Sequence, residues 1–269
     1  MQTARFITKC AHHSCYAICS FQNNRFLNNW FLNKWFLNDK FQNNDNVYKT
    51  YITIGMNMKI LVIGASGRVG TDLVKQLLAD NHQVIGTTRQ EEKLFDDDNY
   101  SQLDLDITAE KDAIQQQIEQ DIDAVYFVAG SGGKDVLEVD LHGAVKTIQA
   151  TEDKGIKRYI MLSTVFSLDT SKWNQPGIAD LKEYYICKHY ADQWLVNNSN
   201  LDYTIVQAGA LKERAATGKI TINDDNAGEN SIADVATTLA AVLNADNTNK
   251  KVFSMHNGET AIDAALAKL

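Results

Sequence analysis

The sequence predicts an α/β fold: a doubly wound parallel sheet with helices on both faces and a small C-terminal substrate lobe. Three observations carry that expectation. β-forming runs alternate with amphipathic helical patterns along residues 58–269. The first run leads through three spaced glycines straight into a helix. The remaining length, about 212 residues, is enough for one sizeable core and too short for two ordinary domains.

The elements follow in order. Lys59–Ile63 is the first strand, and Arg68–Asp80 the first helix, with Val69, Leu73, Val74, Leu77 and Leu78 as its buried stripe. Gln83–Thr88 is the second strand. A helical stretch, Glu110–Gln120, precedes a third strand, Asp123–Val128. Leu141–Lys154 is a helix closed by Gly155, a good C-cap residue. Arg158–Leu162 is a strand, Glu183–Asn197 a long helix, and Leu201–Val206 another strand. Ile232–Leu243 (helix), Lys251–Met255 (strand) and Thr260–Leu269 (helix) finish the chain. A βαβα rhythm of this kind places helices on both faces of a parallel sheet. The substrate lobe is assigned mainly to residues 170–182 and 209–231. The first holds the chain's one proline, Pro176, and the second is rich in loop-forming residues.

Residues 1–57 read differently. Phe21, Phe26, Phe31, Phe36 and Phe41 open five consecutive Asn-rich pentapeptides ending at Asp45. A period of five matches neither helix nor strand, so no face collects the aromatics. This leader holds six Lys/Arg against two Asp, a net charge of +4, whereas the whole chain is −8 and residues 58–269 are therefore −12. It is expected to be disordered, and either a basic arm or the product of a start codon set too early, with Met56 and Met58 as natural starts. The acidic balance of the rest argues against nucleic acid or a membrane surface as partner and leaves a small molecule. Cys10 and Cys15 flank His12 and His13 without a zinc-site spacing, so no metal is expected. Only Cys187 lies beyond the leader, which suits a reducing cytoplasm.

The glycine triplet carries the first chemistry. Gly64 lets the chain turn sharply, Gly67 lets backbone N–H groups approach a pyrophosphate at a helix N-terminus, and Gly70 lets helix pack on strand. Between a strand and a helix, this reads as a Rossmann dinucleotide site, with Ser66, Arg68 and Val69 completing the loop; a plain tight turn is the competing reading. The second strand ends in Thr87-Thr88-Arg89, a base where an NAD site usually has an acid. Arg89, assisted by Arg68, is expected to pair with a 2′-phosphate, favouring NADP(H) over NAD(H), unless both are solvated surface arginines. Asp104 is expected at the adenine pocket, with Asp106 its close rival and a turn role open to either. Ala129, Gly130 and Ser131 form a glycine-rich turn at a strand's C-terminal end, where it would border the nicotinamide-side ribose.

Tyr184 and Lys188 are four apart on a predicted helix and share a face. An ammonium near a phenol favours its ionised form, so Tyr184 is expected to exchange a proton with a carbonyl or alcohol. Tyr185 has His189 at the same spacing, which makes Tyr184 the better choice. Ser163 and Thr164 end the preceding strand, and their hydroxyls are expected to hold the substrate oxygen. Alone, Tyr-x-x-x-Lys is common on surface helices; after a glycine triplet and a Ser-Thr strand end it gains weight.

Together, these residues and the strings Phe127–Ser131, Gly155–Thr164 and Leu201–Val206 resemble the short-chain dehydrogenase/reductase superfamily, in its atypical or extended NAD(P)H-binding branch of small epimerase-like oxidoreductases. The resemblance spans Met58 to Leu269. It implies a Rossmann fold, Tyr184 as acid/base, Lys188 on the ribose and lowering the tyrosine's pKa, and Thr164 or Ser163 as hydroxyl partner. Two positions depart from it: Gln207-Ala208-Gly209 stands where many relatives have Arg-Pro-Gly, and Asp140 where extended relatives often have Asn. The expected function is NADPH-dependent reduction of a small carbonyl, quinone or flavin-like acceptor. A non-catalytic NADPH-sensing regulator and a nucleotide-sugar epimerase or dehydratase are the alternatives.

Overall fold

The computed structural model describes residues 57–269 and, apart from them, the backbone of Arg5–Phe6 and Cys19–Ser20, which pair as short antiparallel strands. The expectations for Phe21–Asp45 and for the cysteines and histidines around residue 12 lie outside the described residues. The chain divides into units 1–53 and 54–269, and the second carries everything that follows.

Its parallel core begins with β1 (Lys59–Ile63), α1 (Arg68–Ala79), β2 (Gln83–Thr87) and β3 (Tyr100–Leu103). Next come α2 (Lys111–Gln117), β4 (Ala124–Phe127), a π-helical segment (Val136–Gly143) running into α3 (Ala144–Asp153), and β5 (Arg158–Thr164). Then follow α4 (Lys182–Asn198), β6 (Asp202–Ala208), β7 (Ala210–Lys212), β8 (Lys219–Ile222) and β9 (Glu229–Ser231). α5 (Ile232–Ala241), β10 (Lys251–Asn257), β11 (Thr260–Ala261) and α6 (Ile262–Leu266) close the chain.

Nine strands form one sheet in the order β11-β8-β10-β6-β5-β4-β1-β2-β3, parallel from β3 to β10, with β8 and β11 antiparallel at one edge. Alternation along β1 separates two cores. Ile60 and Val62 join the α1 and α5 side chains on one face; Leu61 and Ile63 join those of α2, α3 and α4 on the other. The fold is therefore the doubly wound Rossmann arrangement that the alternating pattern predicts.

Three differences from the sequence reading have physical causes. β3, Tyr-Ser-Gln-Leu, is an edge strand with one buried residue, so no apolar run announces it. The expected loops of 209–231 hold the short strands β7, β8 and β9. The expected helix from Thr260 starts at Ile262, because Thr260 and Ala261 pair with β8.

β1 and β4 are neighbours from which the strand order runs outward in opposite directions. Ligands of open α/β sheets bind in the crevice outside the strand ends at such a switch point. There Gly64 adopts φ +97°, and a Cβ on it would stand 2.6 Å from the Ala129 nitrogen. The glycine loop and the Ala129 turn therefore touch.

Candidate functional site

The glycine loop is built by close backbone packing. A Cβ on Gly70 would lie 2.1 Å from the Gly64 carbonyl oxygen, so only glycine lets α1 approach the end of β1. Gly67 caps α1 without any side chain, its N–H donates to the Gly64 oxygen at 3.0 Å, and no acid occupies the helix's first turn. The first N–H groups of α1 thus keep the partial positive charge of a helix N-terminus unneutralised by a side chain. Ser66 and Arg68 are exposed on this loop, while Val69 turns its side chain into the core.

Arg89 stands exposed just past β2. Asp104 is exposed directly beyond β3, at the same end of the sheet. Its rival Asp106 is a turn residue: its carboxylate accepts from the Thr108 N–H and hydroxyl at 2.8 and 2.7 Å, and these bonds hold its pKa below the usual carboxylate range. Arg68 leans the other way, toward Glu213 at 3.6 Å.

Beyond β4, Asp140 of the π-helical segment is buried and accepts from the Ser131 N–H at 3.0 Å; Gly130 lies against its other oxygen. The Ser131 hydroxyl oxygen is itself buried without a hydrogen-bond partner. An orphaned hydroxyl, a side-chain-free helix end and a loop that a Cβ would block fit a dinucleotide laid across the β1/β4 crevice.

The second half of the site lies at the ends of β5 and β6. A cleft of about 360 Å³ there is lined by Arg68, Thr164, Tyr184, Tyr185, Ile178 and Gly209 among others. Residues from both expected lobe segments line it, Pro176 to Leu181 on one side and Gly209 to Gly228 on the other. Lys172 joins the segments through Asp225 at 3.0 Å.

Thr164 faces both tyrosines: its Oγ1 donates to the Tyr185 hydroxyl at 3.2 Å, and it stands beside Tyr184, whose ionised form it favours. Ser163 does not share that role. Its hydroxyl is buried and donates at 2.6 Å to Asp192, which also accepts from Ser167; the Gln207 amide in turn donates to Ser167 Oγ at 2.6 Å. Lys188 is almost fully enclosed, donates to the Leu162 carbonyl at 2.9 Å, and lies 5.9 Å from the centre of the Phe127 ring.

The expected lowering of the Tyr184 pKa is reversed. Burial, then the charges of Asp140 and Asp192, push the phenol above its ordinary value, and the nearby Thr164 hydroxyl opposes them without prevailing. The ammonium of Lys188 serves these carboxylates instead: burial lowers its pKa while Asp192 and Asp140 hold its charge. Burial likewise raises Asp192, against Lys188 and its serine donors. Tyr184 therefore keeps its proton at neutral pH.

Asp192 was legible as the third member of a Tyr184, Lys188, Asp192 series at helical spacing, although nothing in the sequence gave it a partner. Ser167 and Gln207 carried no such signal, since they meet only in the fold. Among the described residues no His, Cys, Asp and Glu cluster would hold a metal, and no helix is long and apolar enough to cross a membrane.

Comparison with known proteins agrees with this geometry. The profile of a family described as NAD(P)H-binding matches residues 64–246. The uncharacterized sugar epimerase YhfK of Bacillus subtilis is 36% identical over 229 residues, covering 79% of this chain and 100% of YhfK. The UPF0659 protein YMR090W of Saccharomyces cerevisiae is 35% identical over 227 residues, covering 79% and 99%. The crystal structure of the oxidoreductase ylbE from Lactococcus lactis superposes with a TM-score of 0.76 at 45% identity, covering 79% of this chain and 96% of that one. The chain belongs to the NAD(P)H-binding family and, within it, to the atypical short-chain dehydrogenase/reductase group.

Proposed function

We propose that this member of the NAD(P)H-binding family is an NADPH-dependent reductase of a small carbonyl, quinone or flavin-like acceptor. The observation that carries the reading is one cleft onto which Thr164, Tyr184 and the glycine-loop residue Arg68 all open. The N–H groups of α1 and the Arg68 side chain would hold the pyrophosphate, with Arg89 on a 2′-phosphate and Asp104 near the adenine. Ser131 and Lys188 would take the nicotinamide-side ribose; Lys188 gives one of its three donors to Leu162 and keeps two for hydroxyls.

When bound, a reduced nicotinamide supplies a hydride. Thr164 holds Tyr185 beside the acceptor, Tyr184 gives the acceptor oxygen a proton, and the mostly apolar cleft walls shield that transfer from water. The likeness to ylbE, described as an oxidoreductase, supports this class. The likeness to YhfK, described as an uncharacterized sugar epimerase, points to epimerisation instead. A cleft of about 360 Å³ lies near the low end for ligand sites and favours a compact acceptor over a nucleotide sugar. Cys187, a buried free thiol, fits a reducing cytoplasm.

The test is a titration of the full chain with NADPH and NADH, followed by an acceptor screen. Tight NADPH, weaker NADH and turnover of a carbonyl or quinone are expected. Failure of the folded protein to bind either nucleotide overturns the site; binding without turnover of any acceptor leaves an NADPH-sensing protein.

A further inference from the structure

Tyr185 is held more firmly than its neighbour's spacing to Lys188 would suggest. It lines the same cleft and is almost wholly enclosed. The Trp173 and Tyr184 rings meet it edge-on at 5.8 and 6.0 Å. Trp173 is itself fixed, because its indole N–H donates to the Phe166 carbonyl at 2.9 Å.

Thr164 has one hydrogen and gives it to the Tyr185 oxygen. Tyr185 accepts there and keeps its own hydrogen, and its hydroxyl makes no other hydrogen bond among the described residues. A buried phenol with an unused donor, on the wall of a cleft, calls for an acceptor inside that cleft. The walls narrow the chemistry further. Leu162, Val165, Ile178 and Leu211 are apolar, no Asp or Glu among the described residues lines the cleft, and the Ser163 hydroxyl is committed to Asp192. A polyol would find too few partners here, while a flat apolar frame with two oxygens would find one phenol for each.

We infer that Tyr185 is a second substrate-binding phenol and that the acceptor is a planar dicarbonyl, one oxygen at Tyr184 and the other at Tyr185. The inference rests on the reductase reading of this cleft. One carbonyl carbon takes the hydride from NADPH; its C=O π pair moves to oxygen, which takes the Tyr184 proton, and NADP⁺ is left. The second carbonyl is held by Tyr185 without change of oxidation state in that step.

The experiment measures binding of 9,10-phenanthrenequinone and of its one-oxygen analogue 9-fluorenone to the full chain saturated with NADP⁺. Wild type is expected to hold the quinone about tenfold more tightly, the worth of one hydrogen bond. Tyr185→Phe is expected to erase that preference while leaving fluorenone affinity unchanged, a pattern that loss of a purely structural hydroxyl would not give. Equal affinity for the two compounds in wild type, or binding of neither, overturns the inference, and needs no variant to fold. A Tyr185→Phe protein that keeps the full preference overturns it as well. NADPH titration of the same preparation separates the two levels: NADPH bound without a quinone preference sinks this inference alone, whereas no NADPH binding sinks the reductase reading with it.

Discussion

The Asp192 carboxylate accepts the Ser163 hydroxyl hydrogen at 2.6 Å, one helical turn beyond Lys188, with all three residues almost fully enclosed. This contact joins the end of β5 to α4 and gives the buried ammonium a counter-charge. Isolated buried ions are expensive, and removing one partner of a buried pair leaves the other uncompensated.

Asp192→Asn is therefore expected to destabilise the fold by about 1–3 kcal/mol, because it weakens the bonds from Ser163 and Ser167 and removes one of the two carboxylate charges that act on Lys188. Adding Lys188→Met should recover part of that loss. Urea unfolding of the wild type, both single variants and the double variant checks it; simple additivity would show that the two charges do not interact.

The glycine loop separates a folding effect from a binding effect. Gly70→Ala places a Cβ 2.1 Å from the Gly64 oxygen, an overlap that the backbone must relieve by moving α1. Thermal unfolding should show a clear loss of stability, on the order of 1–3 kcal/mol as for overpacking elsewhere. At Gly67 the nearest atom to a Cβ is 3.2 Å away, so Gly67→Ala should fold normally and lose nucleotide affinity instead. An unchanged NADPH Kd for a folded Gly67→Ala protein would contradict the phosphate site.

Arg89 is expected to tell the two cofactors apart. Arg89→Ala should weaken NADPH by about tenfold or more and leave NADH unchanged, since a charge-assisted hydrogen bond is worth roughly 1.5–3 kcal/mol. Parallel titrations with both nucleotides read this directly, and equal losses for both would remove Arg89 from the 2′-phosphate.

For Tyr184, burial and neighbouring carboxylates raise the phenol above its ordinary value. The protonated form then persists through neutral and mildly alkaline pH. Carbonyl reduction, which needs the proton, should be flat there and fall only above about pH 10. Alcohol oxidation, which needs the phenolate, should rise with pH across the same range. Tyr184→Phe should cost about 100-fold or more in turnover with little change in NADPH affinity. Rate profiles in both directions test the assignment.

His82 is buried at the other end of the sheet, where its Nδ1 accepts the Met58 N–H at 3.2 Å. Burial lowers its pKa below 6.5, against the charges of Asp80 and Asp123. Below pH 6.5 the unfolded chain takes up a proton that the folded chain still refuses, so stability contributed by neutral His82 is lost as pH falls through the folded value. Melting temperatures between pH 7.5 and 5 should drop more steeply for wild type than for His82→Gln.

Much of the framework is visible in the residues themselves. The glycine spacing of Gly64, Gly67 and Gly70 is a local demand, because the backbone of one βα turn must pass close to itself. The Tyr184–Lys188 relation is equally local, set by the pitch of a single helix. Strand β3 escaped because an edge strand buries too little to leave a pattern. The surroundings of Tyr185 escaped because its partners, Thr164 and Trp173, come from a different strand end and a loop.

By itself, then, the sequence determined the alternation of strands and helices, the dinucleotide loop and the placement of Tyr184 and Lys188 on one face of a helix. Each depends on interactions within about one turn of chain. Only the tertiary structure decided which hydroxyl meets the tyrosines. Ser163 and Thr164 are adjacent in sequence, yet one is drawn to Asp192 on α4 and the other to the tyrosines, because neighbouring strand side chains point to opposite sides. The direction of the Tyr184 shift was likewise settled by burial and by Asp140 and Asp192, whose distances from it no spacing along the chain specifies.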